Sequence, residues 1–358
     1  MKQILVFYLL LAHFIVSAQI REKSQETFPM SSQAPFSKQL ELNSSVMDKI
    51  QENPDAYKDD IDIQKVFALE KKIEDDLGKE DQKTIMDPNE IPSDRLFGPS
   101  QYDSRIEPLQ LNTEIDWQAK MLQTANSVGM LVEREKLTQI SKNIYQIDIS
   151  NTLGTFYQLC TDEAFYNQPT AGVATAFILG EKEMITALHA FERPLSLYVV
   201  IFGYKIIDAN GIVDVFVDKN DVYYPKAITK KNTELDLVEF AVDRNFDRPV
   251  LEWENSTLLS PTKNEIYMVG YPIGLPLKIA LNASITEGNN PYYYYTSLDS
   301  FQGNSGSPVF NFYTNKVIGV LVSGEIDYAF NGNCYYSPVC KIPYCKGEKV
   351  IRIERFME

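Results

Sequence analysis

From about residue 125 onward, apolar residues fall in short runs divided by Gly, Pro, Asn and Asp. The runs Ala174 to Leu179, Met184 to Leu188, Tyr198 to Phe202, Leu237 to Val242, Ile266 to Val269, Tyr292 to Thr296 and Val317 to Val322 are rich in β-branched and aromatic residues. That texture predicts strands. A helical spacing of apolar positions is scarce here, apart from roughly Asp116 to Ala125. Many short strands without crossover helices predict an all-β architecture, an antiparallel sandwich or packed barrels.

The first hundred residues read differently. Lys2 precedes an apolar run from Ile4 to Val16, and the small residues Ser17 and Ala18 follow. This is the layout of a secretory signal peptide, residues 1–18, and the run is short for a membrane span. Residues 19–95 are acidic and rich in helix formers. Within them Val66, Phe67, Leu69 and Ile73 stand among charges as on an amphipathic helix. Pro88, Pro92 and Pro99 then mark a turn-rich stretch. Two readings of 19–95 stay open: a removable pro-segment, or a permanent solvated extension, mainly helical or disordered.

Charge and cysteines narrow the classes. The 358-residue chain carries a formal net charge of −15. A nucleic-acid binder needs a basic face, so no nucleic-acid partner is expected, and no membrane partner once the signal is removed. Export, to the periplasm or the exterior, places Cys160, Cys334, Cys340 and Cys345 in an oxidising compartment that favours disulfides. Four cysteines allow three pairings. They lack a C-x-x-C pair, and His189 is the only histidine outside the signal, so no metal and no cofactor is expected. Asn43, Asn255 and Asn282 fit the N-glycosylation pattern.

Candidate chemistry begins at Gly303-Asn304-Ser305-Gly306-Ser307-Pro308. Glycines on both sides of Ser305 permit a sharp turn and close approach by a substrate. The amides of Gly303 and Ser305 can then converge as an oxyanion hole. A serine nucleophile needs a base, and a histidine base here must be His189, which closes the run Met184 to Leu188. The base in turn needs an orienting carboxylate. Asp236 heads the strand-like Leu237 to Val242, and Glu239, Asp243 and Asp247 are the competing acids.

Together, Thr186-Ala187-Leu188-His189, Asp236-Leu237 and Gly303-Asn304-Ser305-Gly306-Ser307-Pro308 resemble the trypsin-like serine peptidases. The order His, Asp, Ser is that superfamily's order. Asn304 and Ser307 look like its glutamyl-endopeptidase branch. Leu159-Cys160, Phe165 to Pro169, Gly270 to Pro276 and Lys346-Gly347-Glu348 are similar to stretches of exported bacterial members. The resemblance covers roughly 95–358 and leaves out the acidic segment.

The resemblance implies two packed antiparallel Greek-key β-barrels in a protease domain of 96–358, the first over about 125–250 and the second over about 255–345. It implies an extended peptide as substrate and an acyl-enzyme on Ser305, with His189 as base and acid and Asp236 orienting it. Activity should fall below roughly pH 6.5, where an imidazole takes up a proton. Asp299 matches the acidic floor of the primary specificity pocket in trypsins, or is a structural acid on a loop. Val322, Ser323 and Gly324 match the pocket wall that pairs with substrate backbone. Asn304 stands where trypsins carry the aspartate of their activation ion pair, so any inhibition by 19–95 is expected to act by occlusion. The other reading is a catalytically inactive homologue that binds peptides.

Overall fold

A computed structural model describes residues 103–208, 210–256, 259, 264–338 and 346–358. The signal run, the acidic segment, Cys340 and Cys345 lie outside them. Apart from Phe330–Cys334, the strands described here belong to one compact unit.

That unit is built of antiparallel strands in two principal sheets. The first runs in the order Pro225–Asn232, Leu237–Val242, Glu183–Ala187, Ala174–Ile178, Val128–Glu133, Tyr198–Ile201, Val222–Tyr223. The second closes on itself through Lys278–Glu287, Glu265–Gly270, Pro308–Asn311, Val317–Ser323, Glu348–Arg352 and Tyr293–Thr296, whose last member pairs back with the first. The expected pair of barrels is therefore one closed six-stranded barrel beside a more open one. Arg105–Ile106 adds a short strand to the outside of Lys278–Glu287, pairing with Ala280 and Ile279.

Apolar alternation sets the register. Leu237, Val238, Phe240 and Val242 are buried while Glu239 and Ala241 are less so. A one-residue slip against Glu183–Ala187 would expose the buried set. A single apolar cluster includes Ile185 and Leu237 from the first sheet and Tyr267, Val320 and Ile351 from the second, so one core serves both. Fully burying each such side chain stabilises the fold by about 1.5–3 kcal/mol. Beneath the first sheet, Phe191 meets Phe240 edge-on at 5.1 Å and Tyr198 at 5.3 Å.

The helix Asp116–Ala125 stands where the sequence pattern puts it, with Met121 and Ala125 buried and Lys120 paired to Asp116. Several strands escape the apolar-run pattern. Pro225–Asn232 carries three lysines on an exposed edge, and Lys278–Glu287 contains Asn282 at a positive φ of 55°. Lysine on an edge strand discourages pairing with a further chain. Cys160 and Cys334 are each disulfide-bonded.

Candidate active site

Strand pairing brings His189 and Asp236 together. Leu237 faces Ala187 across the two strands, so the residue before one and the turn after the other are neighbours. The chain enters through Asn232, whose side-chain oxygen accepts from Glu234 N and Leu235 N and shapes a tight turn. Asp236 follows at φ 55°, a left-handed conformation uncommon outside glycine. Three bonds hold it there. Its carbonyl accepts from Leu188 N at 2.8 Å, and its carboxylate accepts from His189 N at 3.0 Å and from His189 Nδ1 at 2.5 Å. One carboxylate thus fixes both the backbone and the ring of the histidine.

The ring's other nitrogen, Nε2, lies 2.8 Å from Ser305 Oγ. With Nδ1–H donated to Asp236, Nε2 is left as an acceptor for the hydroxyl proton. Glu239, Asp243 and Asp247 are engaged elsewhere: Glu239 accepts from Thr229, Asp243 from Tyr224 N, and Asp247 from Tyr223.

Ser305 comes from the second barrel and is docked on the first sheet by two threonine hydroxyls. Thr175 Oγ1 donates to Gly303 O at 2.8 Å and accepts from Tyr271 N at 3.0 Å, while Thr175 N donates to Ser305 O at 3.0 Å. Thr186 Oγ1 donates to Thr175 O at 2.7 Å. Both threonines are fully buried. The loop then closes by Gly306 N to Leu321 O and Ser307 N to Asn304 O, each 2.8 Å.

Two glycines are demanded by this docking. Gly303 has φ 88°, and a Cβ there would stand 2.7 Å from Ile273 N and from Tyr271 O. Gly306 has φ 86°, and its Cβ would overlap Thr175 O and Thr186 Oγ1. L-residues with side chains fit neither the angle nor the space. Among the described residues, the amides of Gly303 and Ser305 donate to no protein acceptor, whereas Asn304 N is bonded to Phe301 O at 2.9 Å. Asn304 itself is buried against Ser307.

Three acids, Asp299, Asp327 and Glu348, lie in or bond to the segment that leads into Ser305. Asp299 Oδ2 accepts from Ser104 N at 2.6 Å and Ser104 Oγ at 2.5 Å, so this carboxylate faces the segment leading into Arg105–Ile106. Burial pushes its pKa up to about 6, with Asp103 as the next cause. Asp327 accepts from Gln302 N at 2.8 Å and is raised by burial to about 7. Glu348, raised by burial to about 8, accepts from Ser300 Oγ and from Glu325 N at 3.3 Å. Val322 is buried, and Ser323 and Gly324 are exposed, at the end of Val317–Ser323. A bulge between Leu321 and Ser323 twists the strand at that point.

Thr175 and Ser104 are site neighbours that sequence reasoning did not name, while Thr186 and Glu348 stood in its motifs without an assigned role. A buried threonine inside a strand pattern such as Ala174-Thr175-Ala176-Phe177 is the one signal for the first; nothing local marks the partnership of Ser104 with Asp299, 195 residues apart. No cluster of His, Cys, Asp and Glu able to hold a metal occurs among the described residues.

Residues 174–320 match the family model of the trypsin-like peptidase domain. No curated protein sequence matches the chain. Among solved structures, the active form of the Rv3671c protease from M. tuberculosis is similar at 15% identity and TM-score 0.40, covering 68% of this chain and 82% of that one. The serine endoprotease from Yersinia pestis is similar at 13% identity and TM-score 0.40, covering 67% and 63%. The inactive form of the Rv3671c protease covers 68% of this chain and 92% of its own, at 14% identity and TM-score 0.40.

Proposed function

From a chain whose residues 174–320 match the trypsin-like peptidase domain, we propose an exported serine endopeptidase with Ser305 as nucleophile. The observation that carries the proposal is His189, 2.5 Å from Asp236 on one side and 2.8 Å from Ser305 on the other.

The steps follow from that geometry. Ser305 Oγ attacks the carbonyl carbon of an extended peptide as its proton passes to His189 Nε2. The imidazolium so formed keeps its Nδ1–H on Asp236, which stabilises the added charge. The carbonyl oxygen, now an anion, turns toward the uncommitted amides of Gly303 and Ser305; losing one such donor typically costs about 3 kcal/mol of barrier. His189 then returns the proton to the leaving amine, the C–N bond breaks, and an acyl ester remains on Ser305. Water repeats the sequence, giving its proton to His189 and its oxygen to the acyl carbon, and Ser305 is regenerated.

The exposed end of the strand at Ser323 and Gly324 offers backbone for an extended substrate to pair with. The absence of a charge on Asn304 supports a site assembled without the ion pair of trypsin activation. Export through the Ile4 to Val16 run is part of the same proposal. The test is labelling with a fluorophosphonate followed by peptide mapping. Modification at Ser305, lost in Ser305→Ala and in His189→Ala, is the expected result; an unlabelled Ser305 in folded protein rejects the scheme.

A further inference from the structure

Resting on that peptidase reading, we infer that Arg105 is a positioning residue for the Gly303 amide: its guanidinium clamps Phe301 and so fixes the turn that presents this amide to the developing oxyanion. Arg105 lies before the residues that match the family model. Strand pairing delivers it. Arg105 and Ile106 pair with Ala280 and Ile279, and the register is pinned on both sides. Ser104 O accepts from Leu281 N at 3.2 Å, and Glu107 pairs with the buried Lys278 at 2.9 Å.

The side chain is held as a plate. Nε and Nη2 donate to the two oxygens of Asp103 at 2.9 and 2.8 Å, a fork that fixes the guanidinium plane. Its Cζ lies over the Phe301 ring at 3.8 Å and over the Phe165 ring at 4.8 Å. Arg105 is 3% exposed, and its Nη1 has no partner among the described residues. A buried donor left unbonded is costly. Phe165 adds a second cost by standing at φ 61°, a left-handed conformation that bulky residues avoid. Features of this kind collect where a site must be held in shape.

From Phe301 the effect runs two residues along the chain. Phe301 O accepts from Asn304 N at 2.9 Å, closing a turn over Gln302 and Gly303. Gln302 O accepts from Ile273 N, and Gln302 N donates to Asp327 at 2.8 Å. A trans peptide points its C=O and N–H in opposite directions. With Gln302 O on Ile273, the Gly303 N–H faces away from Ile273. Asp299 is tied to Ser104, so the pair Ser104-Arg105 grips this segment at both 299 and 301. A loose Phe301 ring lets the turn tilt and swings the amide off line; the clamp prevents that.

The experiment measures kcat and KM on one peptide substrate for wild type, Arg105→Met, Phe301→Leu and the double variant, with active sites counted by fluorophosphonate labelling. Arg105→Met should lower kcat per labelled site by about tenfold or more, short of the loss of about a hundredfold or more for a whole oxyanion donor, with KM within about threefold. A peptide boronate, whose boron-bound oxygen takes the oxyanion's place, should also lose affinity about tenfold or more. A side chain that merely stabilises the fold would lower the labelled fraction and leave both values per site unchanged, a result that overturns the inference. A rise in KM alone overturns it too. In the double variant the loss should stay within about twofold of the larger single loss, because both changes break one contact; multiplied losses overturn the inference. Where Arg105→Met does not fold, Phe301→Leu carries the same expectations on kcat and boronate affinity. Wild type that takes no label rejects the peptidase reading, while labelled wild type whose kcat and boronate affinity survive these substitutions rejects only the role of Arg105.

Discussion

The three residues of the proposed triad and the acids around the segment before Ser305 differ in how the protein treats their charge. His189 and Asp236 keep side-chain exposures of 19% and 36% and are bonded each to the next. Glu348 is 7% exposed and bonded mainly to uncharged donors, and burial carries its pKa to about 8. The triad is organised by direction, with each donor aimed at one acceptor. The acids are organised by desolvation, which leaves carboxyl groups short of the charge that water would stabilise. The first arrangement suits repeated proton transfer.

Substitutions can break this contrast, and the largest effect belongs to the proposed nucleophile. Ser305→Ala should lower kcat by about a million-fold, because the covalent route is gone. Its stability in urea should stay within about 0.5 kcal/mol of wild type, since only a partly exposed hydroxyl is removed. Asp236→Asn keeps the shape but lets the wrong tautomer form. A drop of about ten-thousandfold in kcat is expected, with KM little changed. If Asp236→Asn retained full turnover, the directional reading of the triad would be wrong.

Thr175→Val probes the docking rather than the chemistry. It strands Tyr271 N–H and Gly303 C=O in a buried position, and should cost about 1–3 kcal/mol in denaturant unfolding. Turnover should fall as well, because Gly303 carries one of the two uncommitted amides. Thr175→Ser, which keeps the hydroxyl, should restore most of both; failure to do so would show that the methyl group matters more than the bond network.

The smallest effect is the pH dependence of stability, and it tests the desolvated acids in the contrast. Asp299, Asp327 and Glu348 hold protons in the folded state to about 6, 7 and 8, above their usual carboxyl values. Between roughly pH 4 and 8 the folded protein therefore binds more protons than the unfolded chain, and unfolding free energy falls as pH rises. Each such group contributes at most about 1.4 kcal/mol per pH unit. Lys278 acts in the opposite sense: burial lowers it to about 8, so above that pH stability is regained. Glu348→Gln, with urea unfolding measured from pH 5 to 9, should flatten the slope approaching pH 8; an identical slope would mean Glu348 is ionised in the folded protein.

Much of this was legible in the residues. Strands such as Leu237–Val242 announce themselves because half-buried strands alternate and β-branched residues pack well on a pleated surface. Ser305 stands out because its flanking glycines violate the pattern of the strand that follows. His189 stands out because no second histidine competes for the role outside the signal run. Pro225–Asn232 and Lys278–Glu287 were hidden, since an exposed edge and a positive-φ asparagine blur alternation. Asp236 was legible only as one candidate among four, and its bonds to His189 separate it from Glu239, Asp243 and Asp247.

The amino-acid order by itself determined local matters: which stretches are extended, where the chain must turn through glycine, which single imidazole is present. Those depend on backbone sterics and on neighbours a few positions away. Tertiary structure alone decided that Thr175 holds Ser305, that Ser104 engages Asp299, and that Glu348 meets Ser300 from the closing strand. A carboxyl group's charge depends on what surrounds it in space, and barrel closure assembles those surroundings from residues far apart along the chain.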